Sequence, residues 1–146
     1  MNAEENKQRI REVVEIFNAG DGERYLARYA DDAAIHGLPG ELEPTKAGLS
    51  QFVGAVAAAF PDIQFTVEDL LAEGDRVAFR GSYRATHQGE FMGVPPSGRA
   101  VDFQGMSIFR FATDGLIQER WILLDNTALL GQLGLTPRPE AAAARG

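Results

Sequence analysis

Residues 109–134 read FRFATDGLIQERWILLDNTALLGQLG, and this stretch decides the fold. Two extended segments meet at Asp114-Gly115, a dipeptide that tight hairpin turns favour because glycine accepts positive φ. Beyond the turn, period two puts Ile117, Glu119, Trp121, Leu123 and Asp125 on one face of a strand. A carboxylate in line with Trp121 and Leu123 has two readings. Asp125 caps a short helix, since Asp-Asn-Thr before Ala-Leu-Leu is a good start signal. Alternatively, it is an acid kept on an apolar face for chemistry.

Upstream the same alternation recurs. Residues 99–111 set Val101, Phe103, Phe109 and Phe111 against Asp102, Gln104 and Arg110. Val77, Phe79, Tyr83 and Ala85 alternate with Arg80, Ser82 and Arg84, and His87 continues the apolar parity. Ile63, Phe65, Val67 and Leu71 oppose Asp62, Gln64, Thr66 and Glu68, with Asp69 an exception on the apolar side. Glu73-Gly74-Asp75 is a turn. The loop GEFMGVPPSG (89–98) has three glycines and two prolines but carries Phe91, Met92 and Val94. A loop with such large apolar groups folds back over something.

The N-terminal third reads as helix. Ile10, Val13, Val14 and Phe17 fall at i, i+3, i+4 and i+7, the spacing of one buried helix face. Gly20 ends that helix, and Asp21 caps a second carrying Tyr25, Leu26 and Tyr29. A brief strand covers Ala33 to His36. Thr45 caps a third helix with Leu49, Phe52, Val53, Val56 and Phe60 on one side, ended by Pro61. Helices followed by a run of strands predict an α+β fold, its curved, mostly antiparallel sheet wrapped around N-terminal helices. Such a sheet leaves a cone with an internal hydrophobic pocket. One domain over residues 1–135 is expected, with a mobile tail over 136–146, TPRPEAAAARG.

Composition narrows the function classes. Fourteen Lys and Arg against twenty-one Asp and Glu give a net charge of −7, which argues against nucleic-acid and anionic-membrane partners. The chain has no cysteine, so disulfides and thiolate chemistry are excluded, and a cytoplasmic location is expected. No segment has the length of a membrane span or the apolar run of a signal peptide. With two histidines and no HxH or HExxH spacing, no zinc site is expected.

The segments AFPDIQFTVEDLLAEGDRVAFR, ATHQGEFMGVPPSGRAVDFQGMSIFRF and DGLIQERWILLDNTALLGQLG resemble the SnoaL-like polyketide cyclase family, within the nuclear-transport-factor and ketosteroid-isomerase cone fold. The resemblance runs from Ile10 to Gly134. It implies a dimeric cone with an internal pocket and no metal or organic cofactor. It also implies ring closure by intramolecular aldol chemistry on a hydrophobic carbonyl compound. By motif, the acid and base of that reaction falls on Asp125 and the Thr-His pair on Thr86 and His87. Many relatives have His where this chain has Arg120, and Arg120 cannot replace a titrating His.

For Asp125 the resemblance favours chemistry over the cap. His87 reads either as a catalytic group at the pocket mouth, holding the oxyanion with Tyr29, or as a surface histidine hydrogen-bonded to loop backbone. Trp121, Tyr29, His36, Phe17, Phe52, Phe91, Met92 and Phe103 are candidates for substrate binding, with core packing as the alternative for the aromatic ones. A homodimer through the outer sheet face is expected, with Met106, Ile108, Ile122 and Leu124 on it. The rival activities are an epoxide hydrolase, which needs an Asp-Arg-Asp arrangement around a water, and a non-catalytic carrier, which needs the pocket alone.

Overall fold

The computed structural model describes residues 2–135; the tail expected at 136–146 lies outside them. The chain runs α1 (Ala3–Asn18), α2 (Gly22–Leu26), β1 (Tyr29–His36), α3 (Lys46–Ala59), β2 (Gln64–Glu73), β3 (Arg76–Thr86), β4 (Ala100–Phe111), β5 (Ile117–Leu124) and α4 (Asn126–Gln132). The expected α+β order holds. One element differs: the strand expected at Ala33 begins at Tyr29, because α2 closes at Leu26 and leaves Tyr29 on β1.

Local signals account for the helix ends. Asn2 and Glu5 form a reciprocal capping box at α1, which satisfies two otherwise free backbone donors. Asp21 accepts from Arg24 N at α2, and Thr45 accepts from Gly48 N at α3. Ile10, Val13 and Ile16 bury the inner face of α1 against the sheet.

The sheet order is β1-β5-β4-β3-β2. All neighbours are antiparallel except β1 and β5, which run parallel. Gly81 and Gly105 face each other across β3 and β4. A Cβ at Gly81 would collide with the Phe65 ring, and one at Gly105 with the Tyr83 ring and Leu124. Glycine at both positions lets large side chains lie over the concave face.

Two bulges decide which residues face inward. On β2 the register slips by one between Val67↔Gly81 and Asp69↔Arg80, so Glu68 is an extra residue. Phe65 and Val67 pack inward, then Leu70 and Ala72, while Leu71 is 69% exposed. This accounts for Asp69, the exception in the alternation. On β5 the slip lies between Phe111↔Ile117 and Arg110↔Glu119. Ile117 is buried, but the inward positions beyond it are Arg120, Ile122 and Leu124. A bulge puts two residues opposite one, and this reverses the parity that follows.

The expected placement of Ile122 and Leu124 on the outer face is thereby corrected. Trp121 and Leu123 take the outer face instead, beside Ile108 and Met106.

Candidate functional site

A cavity of about 370 Å³ lies between α3 and the concave face of the sheet, within the range of small-molecule sites. Its wall is almost wholly apolar. Leu49, Phe52, Val53 and Val56 come from α3 and Phe60 from its C-cap, Phe17 from α1, Phe103 from β4, and Ile122 and Leu124 from β5. Among the described residues, no Asp, Glu or His lines it; its polar side chains belong to Tyr25, Tyr83, Arg120 and Asn126.

Arg120 is the centre of this site. It is 5% exposed and has no carboxylate partner among the described ion pairs. Its Nη1 donates to Tyr25 Oη at 2.7 Å and to Tyr29 Oη at 2.8 Å. Its Nε and Nη2 donate to Ser107 Oγ at 3.1 and 3.0 Å. The guanidinium lies 4.6 Å from the centroid of the Phe109 ring, its cross-strand neighbour, an attraction worth roughly 0.5–2 kcal/mol. A guanidinium has five N–H donors. Four are used here, and one N–H on Nη2 has no acceptor among the described residues.

The phenols add a second free donor. Tyr25 and Tyr29 hydroxyls lie 3.1 Å apart, so one donates to the other. Only Tyr25 lines the cavity; Tyr29 is 1% exposed behind it. Either phenol can be the donor of that bond; when Tyr29 gives its hydrogen to Tyr25, the Tyr25 hydrogen is left for the cavity. Burial holds the Tyr29 pKa well above its ordinary value, against the pull of Arg120. Burial likewise pushes Tyr83 up to about 12. For Arg120, burial pushes the pKa down, but Tyr25, Tyr29 and Tyr83 outweigh it and the net shift is upward. The cluster is thus a fixed positive charge ringed by hydroxyls, opening on an apolar chamber.

The remaining sequence candidates divide. Phe17, Phe52, Phe91, Met92 and Phe103 line the cavity. Phe91 is buried edge-on against Phe60, whereas Met92 sits on the rim, 68% exposed with φ 51. The loop that carries them is tied to the end of α3 by Gln88 N and Gly89 N, which donate to Ala59 O.

Asp125, expected inside the cone, is instead exposed at the N-cap of α4 and accepts from Ala128 N at 3.0 Å. Trp121, expected in the pocket, stacks on His36 on the outer face, and His36 Nε2 meets Glu119 Oε2 at 2.7 Å. The β5 bulge is the physical reason for both displacements.

His87 is fully buried but does not line the cavity. Ser97 N donates to its Nδ1 at 3.3 Å, which puts the ring proton on Nε2, an atom without a partner among the described residues. His87 N and O also bond Arg99 O and Gly98 N, so it is a histidine that anchors the loop. The adjacent Thr86 is held by Asp62, whose carboxylate accepts from Thr86 N and Oγ1 at 2.8 Å each.

Sequence reading missed Arg120, Tyr25 and Ser107 as site residues. The available signal was the pair of tyrosines four apart, with an arginine just before a run, Trp121 to Leu124, that is apolar at both parities.

Comparison with known proteins agrees with this architecture. A family model for SnoaL-like polyketide cyclases matches residues 7–133. AclR from Streptomyces galilaeus, for which a hydroxylase role has been suggested, is 34% identical, with 92% of this chain and 99% of that one covered at TM-score 0.85. IdmH from Streptomyces antibioticus, a suggested polyketide cyclase, is 38% identical over 88% of this chain and 98% of its own, with TM-score 0.76. A suggested SnoaL-like polyketide cyclase from Jannaschia sp. CCS1 is 25% identical over 89% and 94%, with TM-score 0.72. None of the curated proteins compared with the chain matches it. With residues 7–133 matched by the family model and the fold shared at TM-score 0.85 with AclR, the chain belongs to the SnoaL-like polyketide cyclase family.

Proposed function

We propose that this protein closes a ring in a poly-β-carbonyl substrate by an intramolecular aldol reaction, with Arg120 and Tyr25 as the oxyanion site. The observation that carries the reading is a buried guanidinium with no acid beside it. Removing a cation from water costs several kcal/mol, and here only neutral hydroxyls and aromatic faces offset that cost. Such a site suits a ligand that brings negative charge, as an enolate or a developing alkoxide does.

The cavity supplies no carboxylate or imidazole among its described wall residues, so the acid–base role expected of Asp125 is not carried over. A β-dicarbonyl compound enolises readily, and the proton balance then closes through one phenol. The enol carbon attacks the acceptor carbonyl carbon, and the C–C bond forms as the carbonyl π bond breaks. The acceptor oxygen takes the Tyr25 proton. The enol O–H proton returns to the Tyr25 oxygen, regenerating the phenol. Between these transfers Arg120 Nη1, 2.7 Å away, holds the charge on Tyr25. The apolar wall excludes water and folds the chain toward ring closure. The hydrolase reading lacks carboxylates to hold a water in this cavity, and a carrier of an uncharged ligand has no use for a buried charge.

The test is ring closure of a linear poly-β-ketone, followed by the absorbance of the aromatic product. Wild type is expected to accelerate it over buffer, and Arg120→Met to abolish the acceleration. Equal rates for wild type and buffer, or for Arg120→Met and wild type, would overturn the proposal.

A further inference from the structure

A second hollow, of about 380 Å³, lies outside the first, between the α1–α2 turn and α3. The two share a wall of six residues: Phe17, Tyr25, Val53, Val56, Phe60 and Ile63. This layer of side chains borders both, and Tyr25, the donor of the oxyanion site, lines each.

The second hollow differs from the first in its polar groups: Ser50 and Tyr25 apart, its polar side chains are already committed. Asn18 bonds the Phe65 backbone through both atoms of its amide, at 2.9 and 2.8 Å. Gln64 Nε2 donates to Asn18 O and Ile63 O. Asp21 caps α2. What remains is apolar surface from Phe17, Leu26, Val53, Phe60, Pro61 and Ile63, floored by Gly54 and Ala57 of α3. Among the described residues no Lys, Arg or His lines it, so they offer nothing to a phosphate or a carboxylate. Gly54 and Ala57 are exposed, and a Cβ built on Gly54 meets no atom within 4 Å. The helix is thinned where a chain would lie against it.

We propose that the two hollows form one channel, and that the second takes the uncharged tail of a substrate whose enolate or carboxylate head sits at Arg120. This inference rests on the oxyanion site assigned above and adds the shape of the substrate. It is a linear amphipathic chain longer than the inner cavity, entering head first past Tyr25 or leaving its tail there. Tail burial is the hydrophobic effect at ~0.8 kcal/mol per methylene, which reads as about fourfold in affinity per added carbon.

The experiment measures binding, so it does not depend on turnover. Straight-chain carboxylates from hexanoate to dodecanoate are titrated calorimetrically into wild type, Arg120→Met, Gly54→Phe and Ala57→Phe, with circular dichroism as the folding control. Wild type is expected to gain about fourfold per carbon along the series. Gly54→Phe and Ala57→Phe, two independent plugs of the second hollow, are expected to end that gain at a shorter chain. Arg120→Met is expected to lose the whole series. If hexanoate does not bind wild type at all, the oxyanion reading falls, and the channel with it. If hexanoate binds through Arg120 but affinity does not rise with length, or rises equally in both plugged variants, the channel alone is refuted.

Discussion

Tyr25 and Tyr29 offer a matched pair of perturbations. Each hydroxyl accepts one hydrogen bond from Arg120 Nη1, at 2.7 and 2.8 Å, and the two share one bond between them. Tyr25→Phe and Tyr29→Phe delete the same atom, keep both rings and leave the charge in place. Hydrogen bonds to a charged group are worth about 1.5–3 kcal/mol, and the losses to stability should therefore match, each at roughly that size. Activity should not match. Only Tyr25 lines the cavity, so its hydroxyl alone donates to the developing oxyanion. Losing one such donor costs about 10²–10³ in turnover, roughly 2.7–4 kcal/mol. Tyr29→Phe removes only the support behind that donor, a net effect of about 1 kcal/mol, or about fivefold.

The assay pairs denaturant unfolding with the ring-closure rate, or with hexanoate affinity, for both variants. Equal stability losses with unequal activity losses are the expected result. If the two variants lose activity equally, the argument that one hydroxyl faces the substrate and the other does not is wrong. If Tyr25→Phe destabilises and leaves activity intact, the cluster is only a structural network.

Other perturbations separate further parts of the account. Asp125→Asn should fold and act as wild type, because Asn caps as well as Asp, and Asp125→Ala should lose about 1 kcal/mol of stability with activity kept; a hundredfold loss of activity in Asp125→Asn would restore its catalytic assignment. Burial raises the Tyr29 pKa and pushes Tyr83 up to about 12. Because the folded values exceed the roughly 10 of a free phenol, this contribution to stability is complete below pH about 10 and is lost as the pH rises through the folded values. Ultraviolet titration should show at least two of the three tyrosines ionising late and together with unfolding, and three ordinary titrations would contradict the burial. On the outer face a ladder of paired residues runs His36, Trp121, Ile108, Ala78 and Leu71 across all five strands, and Leu71 and Leu123 are 69% and 70% exposed. We expect a homodimer through this face, split by Leu123→Glu; a monomer mass for wild type in light scattering at micromolar concentration would remove the claim.

The order of elements was readable because its signals are local. Asp21, Thr45 and Asp125 cap the helices where the pattern places them. Tyr29 escaped because helix and strand periods overlap over so short a stretch. The parity of β5 was not readable, since a bulge leaves no compositional mark: Gln118 and Glu68 look like any outer-face residue. The traces were indirect, an acid at Asp69 on an apolar line and apolar residues at both parities from Trp121 to Leu124. Arg120 is hard to read as a site residue for a chemical reason: as a replacement for a titrating His it fails. A group that stabilises an oxyanion need not titrate.

The β5 bulge therefore carries the site, and it can be tested directly. Ile117 pairs Phe111 and Glu119 pairs Arg110, so Gln118 is the residue without a place in the ladder. Deleting it should regularise the strand. Ile117 then points in, Glu119 out and Arg120 in, with the guanidinium still opposite Phe109. The cost is one bond, from Gln118 Nε2 to Asp32 Oδ1 at 2.9 Å, worth about 1 kcal/mol. A strand of strict period two makes the opposite forecast, because the deletion would turn every residue from Glu119 onward to the other face. Arg120 would leave the cavity and Trp121 would enter it. Hexanoate binding distinguishes the two. Retention in the deletion variant, with near-native stability, is the result expected of a bulge; complete loss of binding in a folded protein would mean that Gln118 belongs to the ladder and that Arg120 owes its place to something else.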